Sequence, residues 1–146
     1  MTDFRRLSDG MLASPQILPE DLAEARALGV TLLINNRPDG ESADQPSGAE
    51  IESAARDAGI DYLAIPVTAA GFSQPQVDAM REALDAADGQ VLAFCRSGTR
   101  STLLWSLAQA SSGGDPAEIA AAAAQAGYDV GPVRPAMDML AGQARN

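Results

Sequence analysis

Residues Val91 to Leu104, VLAFCRSGTRSTLL, prescribe a local geometry more narrowly than any other stretch of the chain. An apolar strand-like run passes through Cys95 into a short loop containing Gly98. The loop leads into a helix whose first turn carries Arg100, Ser101 and Thr102. Backbone N–H groups at a helix start have no intrahelical acceptor and point into the preceding loop, where they favour an anion. A thiolate is such an anion, and it is the nucleophilic form of cysteine. The helix stays apolar almost all round through Leu103, Leu104, Trp105, Leu107 and Ala108. That pattern predicts the most buried helix of the fold and a rigid bed for the loop.

The elements around this segment alternate. Met11 to Ser14 reads as a short strand ended by Pro15. Pro19-Glu20-Asp21 opens a helix that runs to about Leu28 and stops at Gly29. Thr31 to Asn35 is an uninterrupted apolar strand, as expected for burial on both faces. Ser47 to Ala58 forms a second helix and Asp61 to Ile65 a strand ended by Pro66. Ser73 caps a third helix over Gln74 to Ala87, and Asp88-Gly89 turns into the central strand. Strand alternating with helix on short connections predicts a three-layer α/β/α fold with a mostly parallel central sheet of four to five strands. Met1 to Gly10 is expected to be irregular, anchored by Phe4 and Leu7. Beyond the Ser111-Ser112-Gly113-Gly114 break, an alanine-rich helix from Asp115 to Gly127 and a last segment, Val133 to Ala141, are expected to pack without contributing chemistry. Residues 1–146 are read as one domain.

Cys95 is the sole cysteine and the chain has no histidine. An intrachain disulfide is therefore excluded, and zinc or iron–sulfur ligation has no donor set, so no metal or cofactor is expected. Cys–His and Ser–His–Asp schemes are excluded by the same composition. A buried core cysteine is the plain alternative. Arg96 beside it, Gly98 three positions on and Arg100 argue instead for a nucleophile in an anion-binding loop.

The run Cys95-Arg96-Ser97-Gly98-Thr99-Arg100-Ser101 resembles the active-site loop shared by rhodaneses and cysteine-dependent phosphatases. With Phe4 to Asp21 and the turn Asn35-Asn36-Arg37-Pro38, residues 3 to 112 most resemble the phosphatase-like domain found alone or fused to metallo-β-lactamase-type persulfide dioxygenases, a family also labelled as sulfur transferases. The resemblance implies a dual-specificity-phosphatase-like fold, with Cys95, Arg100 and Ser101 catalytic and Arg96, Ser97, Gly98 and Thr99 binding the anion. It also implies one of two chemistries: attack on phosphorus, or acceptance of sulfur as a persulfide. Four residues separate Cys95 from Arg100, the rhodanese spacing and one fewer than in tyrosine and dual-specificity phosphatases. The stretch Pro66 to Ser73 also lacks the aspartate that serves those phosphatases as general acid, a function worth roughly 10²–10⁴ in rate. Asp39, Glu41 or Asp44 would have to supply it from another loop.

These two departures favour a sulfurtransferase moving sulfur from thiosulfate or a persulfide to a thiol acceptor, with a persulfide-metabolising enzyme as a partner. A phosphatase acting on phosphoesters through a phosphocysteine is the alternative, and a weakly catalytic anion-binding regulatory module the third class. Loops at the carboxyl ends of parallel strands converge on a ligand, which makes Asn35, Arg37 and Thr68 candidates for substrate or supporting contacts. Arg37 would otherwise pair with Asp39 or Glu41, and Asn35 would lock its own loop. Ser101 would either cap its helix or donate to the Cys95 sulfur. A net charge of −10 argues against nucleic acid as a partner. No apolar run is long enough for a membrane span and no signal-peptide order is evident, so a cytoplasmic location is expected.

Overall fold

The computed structural model describes residues 2–145. Five strands form one sheet in the order β1-β2-β5-β3-β4. They are β1 (Arg5–Ser8), β2 (Met11–Ser14), β3 (Val30–Asn35), β4 (Asp61–Ala64) and β5 (Gln90–Phe94). The last four are mutually parallel, with β5 registered between β2 and β3, Leu92 beside both Leu12 and Leu33. The expected three-layer, mostly parallel architecture is the one observed.

Side-chain alternation along the sheet assigns the two outer layers. Met11, Ala13, Ile34, Val91 and Ala93 face one core. That core is completed by helices α3 (Gln74–Ala86), α4 (Thr99–Ser111), α5 (Pro116–Gln125) and α6 (Arg134–Ala144). Leu12, Leu33, Leu92 and Phe94 face the opposite core, covered by α1 (Leu22–Ala27) and α2 (Gly48–Asp57). Helix α4 is buried from Ser101 to Ala108 and packs against α3, α5 and α6.

The N-terminal segment departs from expectation. Arg5 to Ser8 is a strand, paired antiparallel to β2 across the Asp9-Gly10 turn, with Leu7 buried and its neighbours outward. An Asp-Gly pair between two short runs is itself a hairpin signal. Three polar residues in a four-residue strand obscured it, because an edge strand needs only one buried side chain to hold its register. Met1 of that segment lies outside the described residues.

Candidate active site

The carboxyl ends of β2, β3, β4 and β5 deliver their loops to one edge of the sheet. Cys95 follows directly on β5. Its N–H donates to the Ser14 carbonyl at 3.3 Å, and the Gln16 N–H donates to the Arg96 carbonyl at 3.2 Å, so the strand β2 exit holds the cysteine loop from one side. Cys95 is fully buried, and the Gly98 N–H donates to its Sγ at 3.1 Å. Gly98 caps α4 in the left-handed region, with φ of 93°. A Cβ on this residue would lie 2.1 Å from the Tyr128 hydroxyl oxygen. Glycine is thus required twice, by backbone conformation and by space.

Arg100, in the first turn of α4, donates from Nη1 to the Val67 carbonyl at 2.7 Å. It also donates from Nη1 and Nη2 to the two oxygens of Glu41, each at 2.8 Å. Glu41 receives a further bond from Arg37 Nε at 2.9 Å. Hydrogen bonding from Arg100, then from Arg37, overcomes partial burial and holds the Glu41 carboxyl down at about 2. The Glu41 contact raises the Arg100 pKa, burial opposes the rise, and the charge of Cys95 adds to it. Of the three acids considered from sequence, Glu41 is thus the one on the site arginine. Asp39 accepts from the Gly48 N–H at 2.7 Å at the start of α2, and Asp44 accepts from the Ser42 hydroxyl at 2.8 Å.

Arg37 is almost wholly buried and spends its guanidinium on Glu41, on Gln16 Oε1 at 2.9 Å and on the Ser42 hydroxyl at 3.3 Å. Asn35 Oδ1 accepts from the Arg37 N–H at 2.9 Å while its amide donates to the Tyr62 hydroxyl at 3.0 Å. The Ser101 hydroxyl donates to Asn36 Oδ1 at 2.7 Å, not to the sulfur. Thr68 is exposed and its hydroxyl accepts from the Ala70 N–H at 3.2 Å, closing a local turn. Ser97 and Thr99 are exposed and bonded to each other, Oγ to Oγ1 at 2.9 Å. Arg96 points outward, has no ion pair among the described residues, and borders a cavity of ≈ 310 Å³ shared with Gln16, Arg37, Ser42 and Asp44.

Two residues that sequence reasoning passed over organise this edge. Asn36 is fully buried. Its N–H donates to the Phe94 carbonyl, its side-chain amide to Ile65 O and its carbonyl accepts from Val67 N–H, so one residue ties three strand exits together. The Asn-Asn-Arg-Pro turn was a visible signal for it. Tyr128 arrives from the segment after α5 and donates its hydroxyl to the Ser97 carbonyl at 3.1 Å. No spacing connects it with Cys95, and it lies between the alanine-rich helix and the last segment, in neither of the stretches expected to contribute no chemistry.

A buried cysteine at the exit of a central parallel strand, a helix start beneath it and an arginine in that helix's first turn fit a phosphatase-like enzyme domain, with a fold shared by the active form of Tk-PTP. Residues 3–112 match the model of the beta-lactamase hydrolase-like protein, phosphatase-like domain, and the chain belongs to that family. It is 34% identical over 108 residues to the beta-lactamase hydrolase-like protein of Agrobacterium fabrum, covering 74% of this chain and 25% of that protein. The chain thus spans about a quarter of that relative's length. A solved structure from Neisseria meningitidis Z2491, provisionally assigned as a phosphatase, superimposes with a TM-score of 0.83 at 33% identity over 96% of this chain and 99% of the other. TpbA of P. aeruginosa, solved with pTyr, shares the fold: TM-score 0.67, 19% identity, 99% and 91% covered.

Proposed function

We propose that the chain acts as one domain hydrolysing phosphate monoesters, with Cys95 as nucleophile. The observation that carries this reading is the Cys95 sulfur, buried at the mouth of α4 with the Gly98 amide on it. The family and the well-matched Neisseria structure support phosphate as the electrophile. The Cys95 thiolate attacks phosphorus, an S–P bond forms and the bond to the ester oxygen breaks. Water then attacks the phosphocysteine and releases phosphate and the thiolate. The first-turn amides of Arg100 and Ser101 lack intrahelical acceptors by position, and they would face the phosphoryl oxygens with the Arg100 guanidinium, joined by the Thr99 amide once it leaves the Ser97 hydroxyl, to which it donates at 3.3 Å. Arg96, Ser97 and Gly98 complete the cradle, with Arg37 across the cavity it shares with Arg96.

Glu41 bears on the leaving group. With its carboxyl held at about 2 it is ionised at neutral pH and carries no proton to give. The proposed substrates are therefore esters whose oxygen departs without one, aryl phosphates ahead of alkyl phosphates. Sulfur transfer is the second reading, favoured by the four-residue count between Cys95 and Arg100. In it thiosulfate or a persulfide leaves its outer sulfur on Cys95, and a thiol acceptor or persulfide-metabolising partner removes it.

One experiment separates the two. The chain and its Cys95→Ser variant are incubated with an aryl phosphate or with thiosulfate, quenched in acid, and weighed intact. A mass gain of one phosphoryl group, dependent on Cys95 and accompanied by steady phenol release, is the expected outcome. A gain of one sulfur atom from thiosulfate with no phenol release overturns the phosphatase reading. No adduct from either donor and no phenol release, with the thiol reduced, overturns both and leaves an anion-binding module.

A further inference from the structure

The Ser97–Gly98 peptide is engaged at both ends. Its N–H, contributed by Gly98, donates to Cys95 Sγ at 3.1 Å. Its carbonyl, contributed by Ser97, accepts from the Tyr128 hydroxyl at 3.1 Å. A peptide unit is planar, and in the trans form its C=O and N–H point in opposite directions. Fixing the carbonyl therefore fixes where the N–H points. We infer that Tyr128 is a positioning residue for the nucleophile: by holding the Ser97 carbonyl it keeps the Gly98 N–H aimed at the Cys95 sulfur.

The surroundings of Tyr128 are built for this task. Its ring lies against Gly98 so closely that no side chain fits between them. Arg5 of the edge strand stacks over the ring, its guanidinium carbon 5.0 Å from the centroid, and donates to the Ala126 carbonyl at 3.2 Å. The ring is thus clamped between the hairpin and the loop. Burial raises the phenol pKa, with Arg5 opposing, so the hydroxyl remains a donor throughout the neutral range. Tyr128 also lies outside residues 3–112, the part matched by the family model, so the chain beyond the match reaches back to the reactive loop.

Glycine at 98 adds the reason such a restraint is needed. Glycine crosses between left- and right-handed backbone regions at little cost. A loop whose sulfur donor is a glycine amide can lose that donor by rotation of one peptide. Of the other loop anchors, Cys95 to Ser14 and Gln16 to Arg96 bind the residues before this peptide, and the Thr102 N–H and hydroxyl bind the Gly98 carbonyl on the peptide after it, so none of these holds the Ser97 carbonyl itself.

The test is the pH dependence of Cys95 alkylation by iodoacetamide in the full chain and in Tyr128→Phe, which removes only the hydroxyl. This assay reads the thiol whether or not a phosphate ester is the substrate, so its outcome is separable from the proposed activity. The expected result is a rate profile displaced to higher pH by about half a unit, because the thiolate loses an oriented donor. With an aryl phosphate, kcat is expected to fall roughly three- to tenfold and KM to change less than about twofold. Tyr128→Leu, lacking ring and hydroxyl, should melt lower than Tyr128→Phe yet displace the profile no further. A Tyr128→Phe profile that superimposes on that of the unsubstituted chain overturns the assignment, whatever the melting temperature does. So does displacement seen only in Tyr128→Leu, which would make the effect one of packing.

Discussion

The two carboxylate oxygens of Glu41 each sit 2.8 Å from a different terminal nitrogen of Arg100. This fork-to-fork pair joins the loop after β3 to the first turn of α4, across 59 residues of sequence. Because Val67 O takes a further bond from the same guanidinium, Arg100 is held from two loops before any ligand arrives. The arginine beside Cys95 is therefore preorganised, with little side-chain entropy left to lose on binding.

Glu41 makes stability sensitive to acid. Its carboxyl titrates near 4.5 when free and at about 2 in the folded chain. As pH falls below about 4.5 the unfolded chain takes up the proton first, so this contribution is complete above 4.5 and lost on the way down through about 2. Glu41→Gln should lower unfolding stability at pH 7 by about 1–2 kcal/mol, after allowance for the solvent reaching this pair. The deficit should shrink steadily below pH 4.5 in urea melts. A deficit unchanged at about pH 2.5 would contradict the assigned linkage.

Arg37 holds the loop from Asn36 to Pro46 through three side-chain acceptors. A lysine carries one nitrogen in place of a fork and cannot reach all three. Arg37→Lys should therefore speed amide exchange about tenfold or more across residues 38–46, with exchange in β5 unchanged. Equal protection of the loop in both chains would show that its backbone, not Arg37, supplies the order.

Ser101→Ala tests the hydroxyl bonded to Asn36. Both residues are fully buried, so the variant leaves Asn36 Oδ1 without its donor. The expected cost is about 1–3 kcal/mol, read from thermal or urea unfolding. Unaltered stability would mean that the Asn36 side chain finds another donor when the hydroxyl is removed.

Gly98→Ala forces a Cβ into the space of the Tyr128 hydroxyl and strains a left-handed backbone. Destabilisation of about 2–4 kcal/mol is expected. Aryl phosphate turnover should drop on the order of a hundredfold as the loop reorients. A variant that folds and turns over like the parent would show that the loop and Tyr128 separate without consequence.

The framework is written along the chain. Apolar runs at Met11–Ser14, Thr31–Asn35 and Val91–Phe94, set between capped helices, leave little freedom beyond a parallel sheet between two helical layers. Local periodicity encodes burial, and burial dictates the layers. The cysteine loop was legible for the same reason, since strand, glycine and helix start are consecutive. The edge strand β1 was not, because one buried leucine gives no period. The pairings at the site were not either. That Glu41 rather than Asp39 or Asp44 meets Arg100, that Ser101 turns to Asn36, and that Tyr128 reaches Ser97 are contacts between residues 31 to 65 positions apart. No pattern along the chain specifies such contacts. They exist only once the sheet has brought the strand exits to one edge, where each buried donor takes whichever acceptor the packing leaves within reach.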